Sequence, residues 1–307
     1  MKTYLDFVRE FESLMQCAAK IKQGAELPGN SFSPAEKSGG INLRAPASKR
    51  ALIFAPHPDD ESMIGTLAIR LKKECGFEVV NVAVTLGSNK ERREGRRREL
   101  ESACNFLGWR LIICGREGFD DIKPDTKTRD PLHWENCVGE ILEIMRRENP
   151  SVVLAPHTGD WNKTHIGTGL LVLDAIRKLG ADFIGVLAQT EYWGAMPNAN
   201  LMVEADSETL AEQIRAVSCH TKEVERNDYH LRLPSWMSDN VRRGGEAVDL
   251  RIVFQAAEIV GGQGAHAPSF AFGVIYNILT FKDGSLRPAF DAGRFISKQE
   301  NISKIFG

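Results

Sequence analysis

The stretch from Ala51 to Glu61 reads ALIFAPHPDDE and joins an apolar run to a cluster of polar side chains. Its apolar residues, 51–55, predict a buried strand. Strands of a parallel sheet direct their carboxyl ends into a crevice where ligands bind. That end carries the imidazole of His57 and the three carboxylates of residues 59–61. So many ligating groups at the end of an apolar strand predict a metal site with a base beside it.

A second strand end with similar chemistry lies at residues 151–165, which read SVVLAPHTGDWNKTH. The apolar run ends at residue 155, and His157, Asp160 and His165 follow it. Right-handed crossovers place the carboxyl ends of parallel strands on one edge of a sheet. The two strand ends are therefore expected to converge on one cation.

Between and beyond these motifs, strand-like and helical patterns alternate along the chain. Such alternation predicts βαβ units, in an α/β fold with a mostly parallel sheet and helices on both faces. The predicted strands are 51–55, 79–85, 110–114, 151–155 and 183–187, and the predicted helices are 62–74, 90–107, 133–148 and 164–179.

The flanking regions have different patterns. Apolar residues at helical spacing predict an amphipathic helix over 3–22, and residues 23–48 have the composition of a linker. The later segments are predicted as strands at 201–204 and 271–281, a helix at 208–218, a long loop at 226–247 and a turn at 261–264. We therefore expect an N-terminal extension (1–48), an α/β catalytic domain (49–225) and a mixed C-terminal extension (226–307) that packs on the same domain.

The composition is that of an ordinary globular protein, with 42% hydrophobic and 26% charged residues. The net charge of -2 provides no overall field that would attract nucleic acid or an anionic membrane. The six cysteines form no CxxC pair, which favours buried free thiols. Residues 1–22 lack a secretory signal pattern, and no run is long enough to span a membrane, so a cytoplasmic location is expected.

Four motifs together carry a resemblance to a known family. They are HPDDE at 57–61, TLG at 85–87, RRRE at 96–99 and HIGTG at 165–169. With these motifs the chain resembles the zinc-dependent de-N-acetylases of N-acetylglucosamine-like sugars, the PIG-L or LmbE-like family. The resemblance covers roughly residues 50–190 and extends more loosely to about 225. It implies a Rossmann-like sheet, which agrees with the alternating pattern.

The resemblance also implies the roles of the polar residues. His57, Asp60 and His165 are the expected zinc ligands, and a catalytic zinc keeps a fourth position open for water. Asp59 is the expected general base for that water. Fe²⁺ or Co²⁺ would occupy a site of two histidines and one aspartate nearly as well as Zn²⁺.

The chain departs from the family pattern beside the third ligand. Members commonly carry a histidine three residues before it, where this chain has Asn162. An asparagine can donate a hydrogen bond to an oxyanion but cannot act as an acid. His157 and His220 are therefore further catalytic candidates. The alternative roles are a loop histidine with satisfied hydrogen bonds for His157 and a C-terminal helix cap for His220. Asp160 is a candidate for a carboxylate behind the ligands.

Two residues are candidates for binding the substrate. Arg96 lies on the helix that follows residues 85–87, where a guanidinium can bind sugar hydroxyls or a phosphate. The alternative is that the basic run 90–98 forms a solvated helix face. Trp161 offers a ring on which a sugar can stack, although such rings more often pack in cores.

The expected function is that of a cytoplasmic zinc hydrolase that removes an acetyl group from an N-acetylglucosamine-like sugar or its conjugate. Two alternatives also agree with the sequence. One is a zinc amidase acting on a different amide, and the other is a sugar-binding module that has lost catalysis. The resemblance and the N-terminal helix both favour a homo-oligomer.

Overall fold

The computed structural model describes residues 2–22, 48–248, 271–291, 293–298, 300 and 302–306. The predicted turn at 261–264 and all but residue 48 of the predicted linker lie outside these residues.

Within the described residues, nine strands form one sheet in the order β3-β2-β1-β4-β5-β7-β6-β9, and β8 pairs with β7. The strands are β1 (Arg50–Ala55), β2 (Glu78–Ala83), β3 (Arg110–Ile113), β4 (Val152–Pro156), β5 (Val186–Thr190), β6 (Leu201–Ala205), β7 (Phe272–Lys282), β8 (Ser285–Pro288) and β9 (Arg294–Ile296).

The first five strands are parallel, and the C-terminal strands make the sheet mixed. In the register of the parallel part, Ile53 of β1 lies opposite Leu154 of β4. Strand β7 runs antiparallel to both β5 and β6, and β9 is parallel to β6. The predicted α/β class with a mostly parallel sheet is confirmed. Strand β5 begins three residues later than predicted, after a short 3-10 turn at Gly180–Asp182.

Most helices fall where the apolar spacing predicts them, and several have recognisable ends. Asn162 caps α7 by accepting a hydrogen bond from the Thr164 N–H, and α4 ends at Gly108 in the left-handed conformation that glycine adopts readily. In the part of the chain that the structure describes, the helices are α1 (Tyr4–Lys22), α2 (Asp60–Met63), α3 (Thr66–Cys75), α4 (Arg93–Leu107), α5 (Thr126–Arg129), α6 (Pro131–Glu148), α7 (Lys163–Leu179), α8 (Ser207–Val217), α9 (Thr221–Arg226), α10 (Leu233–Ala247) and α11 (Ser303–Phe306).

The sheet separates the two larger hydrophobic cores of the described residues because successive strand residues point to opposite faces. Ala51 and Ile53 of β1 belong to the core that also contains residues of α3, α4 and α8. Leu52 and Phe54 belong to the other core, which α6 and α7 cover. Helices therefore pack on both faces, and the crevice at the carboxyl ends of the strands stays open.

The prediction of a loop over 226–247 is wrong. A 3-10 turn at Tyr229–Arg232 leads into α10, whose Leu233, Met237 and Val241 are buried at helical spacing. The polar composition and the glycines hide this pattern in the sequence. Gly244 allows close packing, since a Cβ there would lie 1.6 Å from the Met202 Cε atom. Burial against the sheet overrides the low helix propensity of glycine.

The N-terminal helix packs on the same chain. Val8 of α1 is fully buried, and Arg9 forms an ion pair of 2.8 Å with Glu208 of α8. None of the helices in the described ranges combines the length and the apolar character needed to cross a membrane. The division into three regions stays a prediction.

Candidate metal centre

The site lies where the order of the parallel strands reverses. Strand β1 has β2 on one side and β4 on the other, so the crossovers from β1 and β4 leave a crevice between their carboxyl ends. His57 follows β1, and His165 lies in the first turn of α7, after β4. The topology thus brings the two sequence motifs to one place.

Three ligand atoms meet in this crevice. His57 Nδ1 lies 3.1 Å from Asp60 Oδ2, His165 Nε2 lies 3.2 Å from the same oxygen, and the two nitrogens are 3.3 Å apart. Neighbouring ligands of a tetrahedral zinc ion, with bonds of about 2.0–2.1 Å, are separated by about 3.3–3.4 Å. The group could therefore hold one metal ion. Three such ligands leave the fourth position of a tetrahedral site open.

The electrostatics of these residues fit a cation. Burial would raise the pKa of Asp60, but His165 and His57 outweigh it and hold that pKa well below its usual value. Burial would lower the pKa of His165, but Asp60 and Asp160 raise it to about 10. Without an ion, the histidine therefore binds a proton where a metal would bind.

Asp160 lies behind the third ligand. Its Oδ1 is 3.7 Å from His165 Nδ1, a buried atom that has no hydrogen-bond partner among the described residues. The same carboxylate accepts hydrogen bonds from the backbone N–H groups of Asn162, Trp193 and Gly194. These bonds hold Asp160 where it can orient the ring of His165, as carboxylates behind metal-bound histidines do.

Asp59 stands beside the ligands in a strained backbone conformation, with φ at 112°. Its Oδ2 accepts a 2.6 Å hydrogen bond from the Tyr229 hydroxyl and lies 3.9 Å from Arg96 Nη2. Burial raises the pKa of Asp59 to about 7 and the charge of Asp60 adds to the rise, against the effects of His220, Arg96 and Tyr229. A carboxylate with this pKa can exchange a proton near neutral pH.

Glu61 stabilises the strained backbone conformation of Asp59. It is fully buried, and its Oε2 accepts a 2.9 Å hydrogen bond from the backbone N–H of Asp59. Its Oε1 lies 2.9 Å from Nε2 of His220, which is also fully buried. Burial would lower the pKa of His220, but Glu61 raises it. His220 therefore contacts Glu61 and not the cavity.

The two other polar candidates, His157 and Asn162, differ in their hydrogen bonds. His157 Nε2 donates to the Gly194 carbonyl at 2.8 Å, and its Nδ1 accepts from the Gly159 N–H at 3.2 Å. His157 therefore has the hydrogen bonds of a satisfied loop histidine. The Asn162 side-chain oxygen accepts a 2.8 Å hydrogen bond from the Thr164 N–H, and Asn162 lines the cavity.

A cavity of about 560 Å³ joins the ligands to the surface. Its walls include Asp59, Asn162, Arg96 and Trp193, whereas His157, His220 and Trp161 are not among the described residues that line it. Arg96 also donates to the Pro58 carbonyl at 3.0 Å, so it braces the turn that carries Asp59. Trp161 is 78% exposed, and the tryptophan among the described residues that line the cavity is Trp193.

Among the cavity residues that the sequence analysis missed, three lie in or near the segment predicted to be a loop. Glu223, Arg226 and Tyr229 come from α9 and the following 3-10 turn. Their spacing of three residues places polar groups on one side of a helical segment. This spacing is the sequence signal that could have identified them. No local pattern shows that this side faces a cavity.

Comparison with known proteins agrees with the fold. A family model described as PIG-L, GlcNAc-PI de-N-acetylase, matches residues 52–176. No curated protein matches the chain significantly.

The similar solved structures include the following two. The N,N'-diacetylchitobiose deacetylase from Pyrococcus horikoshii is 18% identical, with a TM-score of 0.51 over 81% of this chain and 88% of that one. The 4-carboxy-2-hydroxymuconate hydratase GalB from Pseudomonas putida is 16% identical, with a TM-score of 0.51 over 76% and 97%. At these identities the likeness shows the fold alone. A deacetylase and a hydratase share it, so the fold alone does not determine the reaction.

The family match extends from β1 into α7 and so contains both strand ends and all three candidate metal ligands. The resemblance of the sequence motifs is thereby confirmed. Residues 52–176 match the PIG-L family model, and the described residues on either side of this region complete a mostly parallel α/β fold with mixed C-terminal strands.

Proposed function

We propose that the protein is a metal-dependent amide hydrolase that removes the N-acetyl group from an N-acetylglucosamine-like sugar or its conjugate. The observation that carries the proposal is the convergence of His57 Nδ1, Asp60 Oδ2 and His165 Nε2 to mutual distances of 3.1–3.3 Å. These ligands lie in the region that matches the PIG-L family model, and Asp59 lines the same cavity.

A divalent ion, Zn²⁺ in this proposal, would be held by His57, Asp60 and His165 and would supply a Lewis acid that acidifies water and polarises the amide carbonyl. Asp160 fixes the ring of His165 through the Nδ1 atom that has no other partner. The same type of site accepts Fe²⁺ or Co²⁺.

Asp59 transfers the proton in this proposal. Tyr229 and Arg96 both face Oδ2, so Oδ1 is the atom that takes the proton from the attacking water. The protonated carboxyl group then gives that proton to the leaving nitrogen, which departs as the amine. The strained turn and the hydrogen bond from the Asp59 backbone to Glu61 keep the carboxylate in place during both transfers.

Asn162 contributes a hydrogen-bond donor instead of the family's histidine. Because its oxygen caps α7, its amide group donates to the carbonyl oxygen as negative charge develops there. This arrangement assigns the acid step to Asp59. His157 and His220 are then supporting residues, the first for the loop around Gly194 and the second for Glu61.

The test is the release of acetate from a panel of N-acetylglucosamine derivatives by protein loaded with zinc. We expect release that a chelator abolishes and that added zinc restores. The panel includes the free sugar, chitobiose, glycosides and longer N-acyl analogues. Zinc binding without release from any member would contradict the proposal, and equal release of long acyl groups would favour a general amidase.

A further inference from the structure

Four charged residues form a cluster, the arginine cluster, at one side of the cavity. Arg92 and Arg96 come from the region that begins α4, and Glu223 and Arg226 come from α9. All four line the cavity that also contains the metal ligands. Since α9 lies outside residues 52–176, half of the cluster comes from outside the region that matches the family model.

The three guanidinium groups surround one carboxylate. Glu223 is 3% exposed, and it forms hydrogen bonds with Arg92 Nη2 and, at 2.5 Å, with Arg226 Nη2. Arg96 Nε lies 3.5 Å from Glu223 Oε1 and has no hydrogen-bond partner among the described residues. Burial would raise the pKa of Glu223, but the charges of Arg96, Arg226 and Arg92 outweigh it and lower that pKa.

The cluster carries an excess of positive charge. Arg96 also faces Asp59, so three guanidinium groups stand against two carboxylates, those of Glu223 and Asp59. The other cations on the cavity wall are balanced locally, Arg93 by Asp120 and Lys123 by Asp121. The net charge of the whole chain is -2, so this excess is local to the arginine cluster and its contact with Asp59.

The geometry also leaves donors available. A guanidinium has five N–H donors in a rigid fork, and one carboxylate engages only some of them. The side chains of Arg92 and Arg226 remain 35% and 69% exposed while Glu223 holds them at the cavity wall. A guanidinium group that is already held in place loses little conformational entropy when it binds an anion through two hydrogen bonds.

We propose that the arginine cluster is a subsite for an anionic group of the substrate, a phosphate or a carboxylate attached to the amino sugar, with Arg226 and Arg92 as its main donors. The inference rests on the proposed function, because that function places a sugar in the cavity. It narrows the proposed substrate class from N-acetylated amino sugars and their conjugates in general to acidic ones.

The experiment measures binding without turnover, by calorimetric titration of the zinc-loaded full chain with sugars that lack the acetyl group. Glucosamine is the neutral probe, glucosamine 1-phosphate and 6-phosphate carry the phosphate, and muramic acid carries a carboxylate. We expect at least one acidic sugar to bind about tenfold or more tightly than glucosamine, and salt to weaken this preference. The acidic sugar that binds most tightly identifies the anion.

Arg226→Gln and Arg92→Gln should each remove most of the preference and leave glucosamine binding unchanged. Arg146→Gln is the matched control, because Arg146 lies on α6 with its side chain 53% exposed and does not line the cavity. Equal affinities for glucosamine and all acidic sugars would overturn the proposal, as would a preference that survives in both variants.

Rates of acetate release distinguish a failure of the proposed subsite from a failure of the proposed hydrolase function. If neutral and acidic N-acetyl sugars are hydrolysed with equal kcat/KM, the hydrolase stands and the subsite fails. If the acidic amines bind preferentially and no N-acetyl sugar is hydrolysed, the subsite stands and the proposed hydrolase fails.

Discussion

The hydroxyl of Tyr229 donates a 2.6 Å hydrogen bond to Asp59 Oδ2, although 170 positions separate the two residues in the chain. Tyr229 begins the 3-10 turn before α10, and Asp59 lies in the turn between β1 and α2. A segment outside the match to the family model therefore contacts the carboxylate that we propose as the general base.

Tyr229→Phe should lower kcat about tenfold while KM changes little, because the phenol orients the base and general acid–base catalysis depends on that geometry. Steady-state rates of acetate release, measured over a range of substrate concentrations, give kcat and KM separately. Tyr4→Phe, on α1, is the control and should retain the wild-type rate. A Tyr229→Phe variant with normal kcat would show that the hydrogen bond has no role in turnover.

Asp59→Asn should reduce kcat by about 10²–10⁴-fold, because the amide cannot accept the proton from water. Zinc content should stay stoichiometric, since none of the three ligand atoms is removed. The amide oxygen can still accept the Tyr229 hydrogen bond, so the variant should fold. Metal analysis and acetate release on the same sample provide the comparison, and rates near wild type would remove Asp59 from the mechanism.

Metal binding should release a proton and weaken at low pH. The pKa of His165 is raised to about 10 without an ion, chiefly by Asp60, and a metal has to displace that proton. Zinc titrations in several buffers of different ionisation enthalpy measure the released proton. His165→Ala should lose zinc affinity, whereas His133→Gln, on α6, should keep it. Affinity independent of pH below neutrality would contradict this site.

The pH profile of kcat/KM should have an acidic limb. Burial raises the pKa of Asp59 to about 7, so the carboxyl is protonated and unable to act as a base below that pKa. A cation nearby would lower the pKa, and the limb should therefore appear at or below about pH 7. Rates between about pH 5 and 9 measure it. A flat profile for wild type, or an unchanged limb in Asp59→Asn, would contradict the assignment.

His220→Gln should destabilise the fold by about 3 kcal/mol at acidic pH, because it leaves the Glu61 carboxylate buried beside a neutral group. Glu61 raises the pKa of His220 above its unfolded value, so the pair's contribution is fully present below the unfolded pKa and is lost as pH rises through the folded pKa. Urea unfolding at acidic and alkaline pH measures the difference between variant and wild type. A difference that grows with pH would contradict the pairing.

Several features could be predicted from local sequence because the atoms involved are close in the chain. His57 and Asp60 occupy one turn after a buried strand, and the Nδ1–Oδ2 contact of 3.1 Å forms within that turn. The alternation of strands and helices also indicated the parallel sheet. It placed His165 on the same edge as His57, since crossovers in such sheets are right-handed.

Other features depended on packing between distant segments. The pattern at 226–247 was mistaken for a loop because the burial of Leu233 and Met237, which stabilises α10, is a tertiary contact. His157 and His220 both carry imidazoles near the predicted site, yet one contacts a loop carbonyl and the other a buried carboxylate. Which way an imidazole faces depends on neighbours that the local sequence does not contain.

The sequence by itself therefore determined the α/β class and the candidate ligands, because hydrophobic periodicity and short-range spacing are local properties. Only the tertiary structure decided what surrounds them. Packing of the segment from α9 to α10 brings Glu223, Arg226 and Tyr229 to the cavity, where they meet Asp59 and the arginines of α4. These contacts form because burial of distant apolar faces stabilises one chain arrangement, and no short stretch of sequence contains both partners.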